Sequence, residues 1–204
     1  MEGVAQAFRP AGTAIGFRIK SGYAIAVVLT GPAKSPAVVA RRIVELSDPE
    51  IAETKQPYHA GFGTENEDPR EVARRVKIVE RCAKKSVASL LADMRGAKAS
   101  AERPLRAALV VGSVIDPQQV GNPHIRAHAN EGRLFRTVVA DALRSHGVAC
   151  DVIVEKQLAS TAVAGLRIPE SAIKQKLTAF GKAVGGPWRA DEKAAATAAW
   201  LALG

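Results

Sequence analysis

Apolar and polar positions change period several times along the chain, and each change marks an element. Residues 14–20 (AIGFRIK) and 23–30 (YAIAVVLT) are rich in strand-forming residues and are separated by Ser21-Gly22, which predicts a hairpin. Residues 38–46 (VVARRIVEL) predict a third strand, stopped by Asp48-Pro49. Three such neighbours predict an antiparallel meander. Residues 1–12 read as a flexible arm, 31–37 as a loop, and 47–67 as a polar, irregular stretch containing Gln56-Pro57-Tyr58-His59.

The period then lengthens to that of a helix. Val72, Val76, Val79, Ala83, Val87, Leu90 and Met94 recur at three- and four-residue steps and predict one apolar stripe on a helix over about 69–95. Asp68 is placed to cap it, and Pro69 suits its first position. Residues 105–115 (LRAALVVGSVI) predict a buried strand ended by Asp116-Pro117. Asn122-Pro123 repeats the cap-and-proline signal, opening a helix that runs to about 146 and ends at Gly147. A fifth strand is predicted at 149–155, a helix at 169–184 broken by Gly185-Gly186-Pro187, and an alanine-rich helix at 191–203. Residues 13–204 thus predict a single domain with a helical insertion at about 160–187.

Composition narrows the function classes. Hydrophobic residues make up 47% of the chain but aromatics only 4%, so Val, Ile, Leu and Ala must build the core. There are two cysteines, Cys82 and Cys150, with neither a disulfide framework nor a paired-cysteine zinc motif. The N-terminal MEGVAQAFRPAG lacks the apolar run of a secretory signal, and no stretch approaches the ~20 apolar residues that span a bilayer. These features predict a cytoplasmic protein with no membrane partner. The net charge of +9 points to a polyanion, such as nucleic acid or another phosphate-bearing polymer.

The element order is three meander strands, helix, strand, helix, strand and a C-terminal helix. It resembles the ribonuclease H-like superfamily, including its Holliday-junction resolvase branch, over most of the chain. The resemblance implies an α/β fold with a mixed five-stranded sheet: a three-strand antiparallel meander plus two parallel strands, flanked by helices. First strands of this superfamily often read Gly, apolar, Asp, a few residues, Gly, aromatic. Here the frame is Gly16-Phe17-Arg18-Ile19-Lys20-Ser21-Gly22-Tyr23, with Arg18 at the position expected for the first metal-binding Asp. The resemblance places a second acid at Asp116 or Glu131 and the last acids at Asp191 and Glu192. Nucleases of this kind gather carboxylates around two magnesium ions. A permanently cationic Arg18 cannot ligate a metal. The motif is therefore degenerate, and a rebuilt site or a binding-only member is expected.

The helix at 123–146 shows where a rebuilt site would lie. At about 100° per residue, His128 and Glu131 fall within roughly 40° of His124. The same face carries Phe135, Val138, Val139 and Ala142, while Arg126, Arg133 and Arg144 lie opposite. Polar groups on a core-facing stripe cost free energy unless they find partners. Three readings follow. His124 and His128, with Glu131 and His59 as further ligands, hold a divalent metal ion, Zn or Mn in preference to Mg. Alternatively, the same side chains act as acid and base, or bind phosphate, without metal. In the third reading they form a satisfied hydrogen-bond network that fixes helix to sheet.

The candidate catalytic set is His124, His128, Glu131, Asp116 and Asp191. The candidate nucleic-acid-binding set is Arg18, Lys20, Arg70, Arg74, Lys77, Arg81, Lys84 and Lys193, most of it a basic stripe on the long helix that can follow a phosphate backbone. The function expected is binding or hydrolysis of nucleic acid at the rebuilt His/Glu site. A non-catalytic nucleic-acid or protein binding module of the same fold and a small-molecule phosphate enzyme are the alternatives.

Overall fold

The computed structural model describes residues 12–61, 63–96 and 105–204. The arm expected at 1–12 lies outside them except for Gly12, which opens the first strand. Three strands, β1 (Gly12–Ile19), β2 (Tyr23–Gly31) and β3 (Ala37–Glu45), form the expected meander. Gly22, at φ +82°, makes the β1–β2 turn. The segment expected to be irregular instead forms a 3-10 turn at Ala52–Lys55 and a small hairpin, β4 (His59–Gly61) and β5 (Thr64–Glu65). Then follow α1 (Pro69–Gly96), β6 (Arg106–Val111), α2 (Pro123–Ser145), β7 (Ala149–Val154), α3 (Leu158–Leu166), α4 (Glu170–Val184) and α5 (Ala190–Leu203). No helix among the described residues is long and apolar enough to cross a membrane.

The main sheet has the order β3-β2-β1-β6-β7, with β1–β3 antiparallel and β6 and β7 parallel to β1. Each β1 side chain is committed to one face by the pleat. Ile15, Phe17 and Ile19 pack with α1 and α2 through Val79, Val87, Leu91, Phe135, Val139 and Leu143. Ala14, Ile25 and Val27 face α5, whose alanines are buried from Ala194 to Ala199. Small residues bring α5 very close: a Cβ added at Gly16 would lie 1.8 Å from the Ala195 carbonyl oxygen. Arg18 shares this face with Gly16 and lies near the carboxyl end of β1, the central strand, beside the start of α5.

Both predicted helix starts are capped. The Asp68 carboxylate accepts the Arg70 amide at 2.9 Å, and the Asn122 side chain accepts the Ile125 amide at 3.1 Å. Gly147, at φ +74°, ends α2. Between β7 and α5 the chain forms two helices, α3 and α4, where the sequence predicts only the second. A left-handed Arg167 (φ 56°) ends the first.

Candidate functional site

The β4–β5 hairpin lays His59 against the first turns of α2. Its Nδ1 lies 2.7 Å from Oε1 of Glu131, with side chains only 5% and 1% exposed. The strand around His59 is fixed on both sides. The Arg75 guanidinium donates to the His59 carbonyl oxygen at 2.8 Å, and Arg126 on α2 pairs with Glu65 on β5. Glu131 therefore meets its partner in a pre-formed arrangement.

His124 and His128 complete the cluster from α2. Ring centroids lie 4.6 Å apart for His59–His128 and His124–His128, and 5.4 Å apart for His59–His124. One nitrogen from each ring falls within 4.8 Å of the others. The second oxygen of Glu131 approaches Nδ1 of His128 at 3.5 Å. Burial pushes the Glu131 carboxyl above the usual carboxylate range, and His59, His128 and the Tyr58 backbone amide oppose that rise.

With Glu131 ionised, Nδ1 of His59 donates to it and Nε2 carries the lone pair. That Nε2 is buried with no hydrogen-bond partner, as is Oε2 of Glu131. A buried polar group left without a partner costs about 1–3 kcal/mol. Nitrogens bound to one divalent ion at ~2.0–2.1 Å lie at most ~4.2 Å apart. The three here lie within 4.8 Å of one another, and His128, with 47% of its side chain exposed, has room to adjust. A cleft of about 510 Å³, bordered by Glu53, Gln56, Gly61 and Gly63, opens onto all three histidines.

His128 also lines a second cleft of about 230 Å³ at the carboxyl ends of β1 and β6, together with Arg18, Lys20, Ser21, Ser113 and Gly132. Here Arg18 is 7% exposed in its side chain and holds two acids: Glu155 at 2.6 Å and Asp191 at 3.3 Å. Lys20 adds a contact to Asp191 at 3.6 Å. Glu192, only 4% exposed, is taken by Arg41 of β3 at 2.7 Å and by the Arg189 amide at 2.8 Å. The two-magnesium arrangement implied by the resemblance does not fit these residues. A cation stands where the first ligand would be, and the last acids, Asp191 and Glu192, are engaged by Arg18 and Arg41.

The structure thus brings His124, His128 and Glu131 together and adds His59 as a full partner. It separates Asp116 and Asp191 from them. Asp116 caps the 3-10 turn at Pro117–Gln119 by accepting the Gln118 amide at 3.1 Å, and Asp191 reaches the second cleft only through Arg18 and Lys20. Glu131 is hydrogen-bonded to His59 and lies 3.5 Å from Nδ1 of His128. Of the expected basic residues, Lys77, Arg81 and Lys84, with Lys85, line a shallow groove of about 560 Å³ on α1. Arg74 is bound to Glu71 at 2.8 Å, while Arg70 and Lys193 are exposed at the starts of their helices.

No protein-family model matches the sequence, and no curated protein matches it. The solved structures do. The chain superposes on Thermus thermophilus RuvC in complex with a Holliday junction substrate with a TM-score of 0.54 at 12% identity, covering 93% of this chain and 91% of that one. A second T. thermophilus RuvC structure gives 0.53, also at 12% identity, covering 93% and 92%. The fold is ribonuclease H-like, with the mixed five-stranded sheet flanked by helices that the sequence order implied.

Proposed function

We propose that this is a ribonuclease H-like nucleic-acid-binding protein that hydrolyses phosphodiester bonds at a rebuilt metal centre of His59, His124 and His128. Glu131 is its supporting carboxylate. The observation that carries the reading is the meeting of three imidazoles over a buried carboxylate, with Nε2 of His59 buried and unpartnered. Imidazole donors favour Zn or Mn over Mg, which prefers oxygen ligands. A divalent ion held there supplies Lewis acidity to a phosphoryl oxygen. The protein's own groups bind and orient: Glu131 fixes the His59 tautomer, and Lys20 offers a positive charge in the adjoining cleft. The net charge of +9 and the basic groove on α1 support a polyanionic partner. The likeness to a resolvase solved on a Holliday junction supports DNA as its first candidate.

The test is hydrolysis of labelled single-stranded, duplex and four-way-junction DNA by the full chain with Zn, Mn or Mg supplied in turn. The reading expects cleavage with Zn or Mn, reduced by about a hundredfold or more in His59→Ala and in the His124→Ala/His128→Ala pair. Cleavage that needs only Mg and survives both variants contradicts it.

The Arg18 ion pairs favour a second reading, in which the fold is kept as a binding module and the chemistry is lost. That reading expects salt-sensitive DNA binding without turnover. Arg81→Glu/Lys84→Glu would abolish the binding, and His128→Ala would leave it intact.

A further inference from the structure

Arg133 and Arg136 lie one helical turn apart on α2 and face a third cleft, of about 450 Å³, whose other wall is the loop Val114–Gln118. The other two arginines of this helix that face solvent are spoken for, Arg126 by Glu65 and Arg144 by Asp141. Arg133 and Arg136 have no carboxylate within ion-pair distance among the described residues. Arg136 is half-buried, and burial together with the neighbouring charge of Arg133 holds its pKa below the usual arginine value. Two guanidinium groups kept side by side at such a cost are a preorganised fork for an anion with several oxygens.

The rest of the cleft argues for more than a bare anion. Val114 and Ile115 are 56% and 47% exposed, and they give the cleft an apolar wall. Asp116 spends one oxygen on the Gln118 amide and offers the other. A carboxylate there repels free phosphate but accepts a hydrogen bond from a sugar hydroxyl or a base N–H. Phosphate, apolar ring and hydrogen-bond donor are the three parts of a nucleotide.

The third cleft lies near the histidine centre along the chain. His128 lines both the first and the second cleft. Ser113 and Gly132 line the second, and their chain neighbours Val114 and Arg133 line the third. From His128 to Arg136 the helix axis rises roughly 12 Å.

We infer that Arg133, Arg136 and Asp116 form a nucleotide seat that grips one unit of a nucleic-acid strand while another phosphodiester of the same strand lies at the histidine centre. The strand part of this inference rests on the nucleic-acid reading given above. The seat itself rests on the arginine pair and its cleft.

The experiment is fluorescence anisotropy of a labelled, mixed-sequence single-stranded oligodeoxynucleotide against the full chain. EDTA is present throughout, so the metal centre plays no part in the readout. Arg133→Ala/Arg136→Ala should weaken binding at least tenfold and lower the salt slope by about one. Arg144→Ala, on the same helix but already paired, should stay within twofold. Arg133→Lys/Arg136→Lys should recover part of the loss and the full slope, and melting temperatures of all variants show whether each has folded. Binding of the Ala pair within twofold of the unsubstituted protein, with the same slope, overturns the seat. If the unsubstituted protein does not bind the oligonucleotide, the nucleic-acid reading has failed. Calorimetry with adenosine monophosphate and with inorganic phosphate then decides the seat. Nucleotide binding, tighter than phosphate and lost in the Ala pair, upholds it as a free-nucleotide site. No binding of either ligand overturns it.

Discussion

Nδ1 of His59 and Oε1 of Glu131 lie 2.7 Å apart although 72 positions separate them in sequence, and both side chains are almost fully buried. In the proposed metal centre this pair matters because it leaves Nε2 of His59 free to face the ion. Replacing Glu131 by Gln keeps the shape and an acceptor for Nδ1–H but removes the charge. Metal affinity should fall about 10–100-fold, as for other carboxylates that support a liganding histidine. Glu131→Ala also orphans His59 Nδ1 and opens a cavity, so it should cost about 2–4 kcal/mol of stability besides. Competition with a chromophoric chelator and urea melts separate the two effects. An affinity unchanged by Glu131→Gln would make this carboxylate purely structural.

Arg18 plays the part of a cation between Glu155 and Asp191. Arg18→Met should lose about 1–3 kcal/mol, since one carboxylate partner is largely solvated and the other is only partly so. Arg18→Asp sets a third carboxylate beside the two and should be less stable still. Millimolar Mg or Mn should then raise the melting temperature of Arg18→Asp and leave that of the unsubstituted protein nearly unchanged. Equal metal response in both proteins would show that these acids are not poised to share a cation.

Close packing of α5 on β1 leaves no room for a side chain at Gly16. A methyl there meets the Ala195 carbonyl oxygen at 1.8 Å and the Ala199 amide nitrogen at 2.4 Å, both backbone atoms that move only with the helix. Gly16→Ala should cost about 3 kcal/mol or prevent folding. Gly132 in α2 has nothing within 4 Å of its added Cβ, and Gly132→Ala should stabilise by about 0.5–1 kcal/mol. Thermal melts of the two variants should move in opposite directions.

Acid stability should depend on Glu192. Burial works to raise its pKa, but hydrogen bonds from Arg41 and from the Arg189 and Glu192 amides outweigh it and hold the carboxyl below its usual value. A folded pKa below the unfolded one contributes stability above the unfolded value, which is lost as pH falls through the folded one. Glu192→Gln should therefore flatten the loss of stability below about pH 4.5, the ordinary glutamate range. Urea melts from pH 6 down to pH 3 check this. A variant whose stability falls as steeply as that of the unsubstituted chain would refute it.

Much of this arrangement was legible in the sequence where a long period carries the signal. The helical step places His124, His128 and Glu131 on the face of α2 that also bears the buried Phe135 and Val139, and the caps at Asp68 and Asn122 fall where expected. His59 was harder to place. It sits on a three-residue strand paired to a two-residue one, too short for any alternation to show, and its docking depends on Arg75, Glu131 and the Arg126–Glu65 pair. Arg18 could be seen as an intruder in its strand motif, but its partners lie 137 and 173 residues away and no local pattern points to them. Asp116 and Asp191 enter the candidate set through the family resemblance, which says nothing of their local partners. Those partners are the Gln118 amide in one case and Arg18 with Lys20 in the other.

The metal centre is tested most directly by the metal content of the purified, tag-free protein, beside His59→Ala and the His124→Ala/His128→Ala pair, each equilibrated with Zn or Mn and freed of excess. Near one ion per chain in the unsubstituted protein, falling close to zero in both variants while they remain folded, is the result expected. No retained ion in any of the three proteins, or an ion retained equally by all, would contradict a centre built on these histidines.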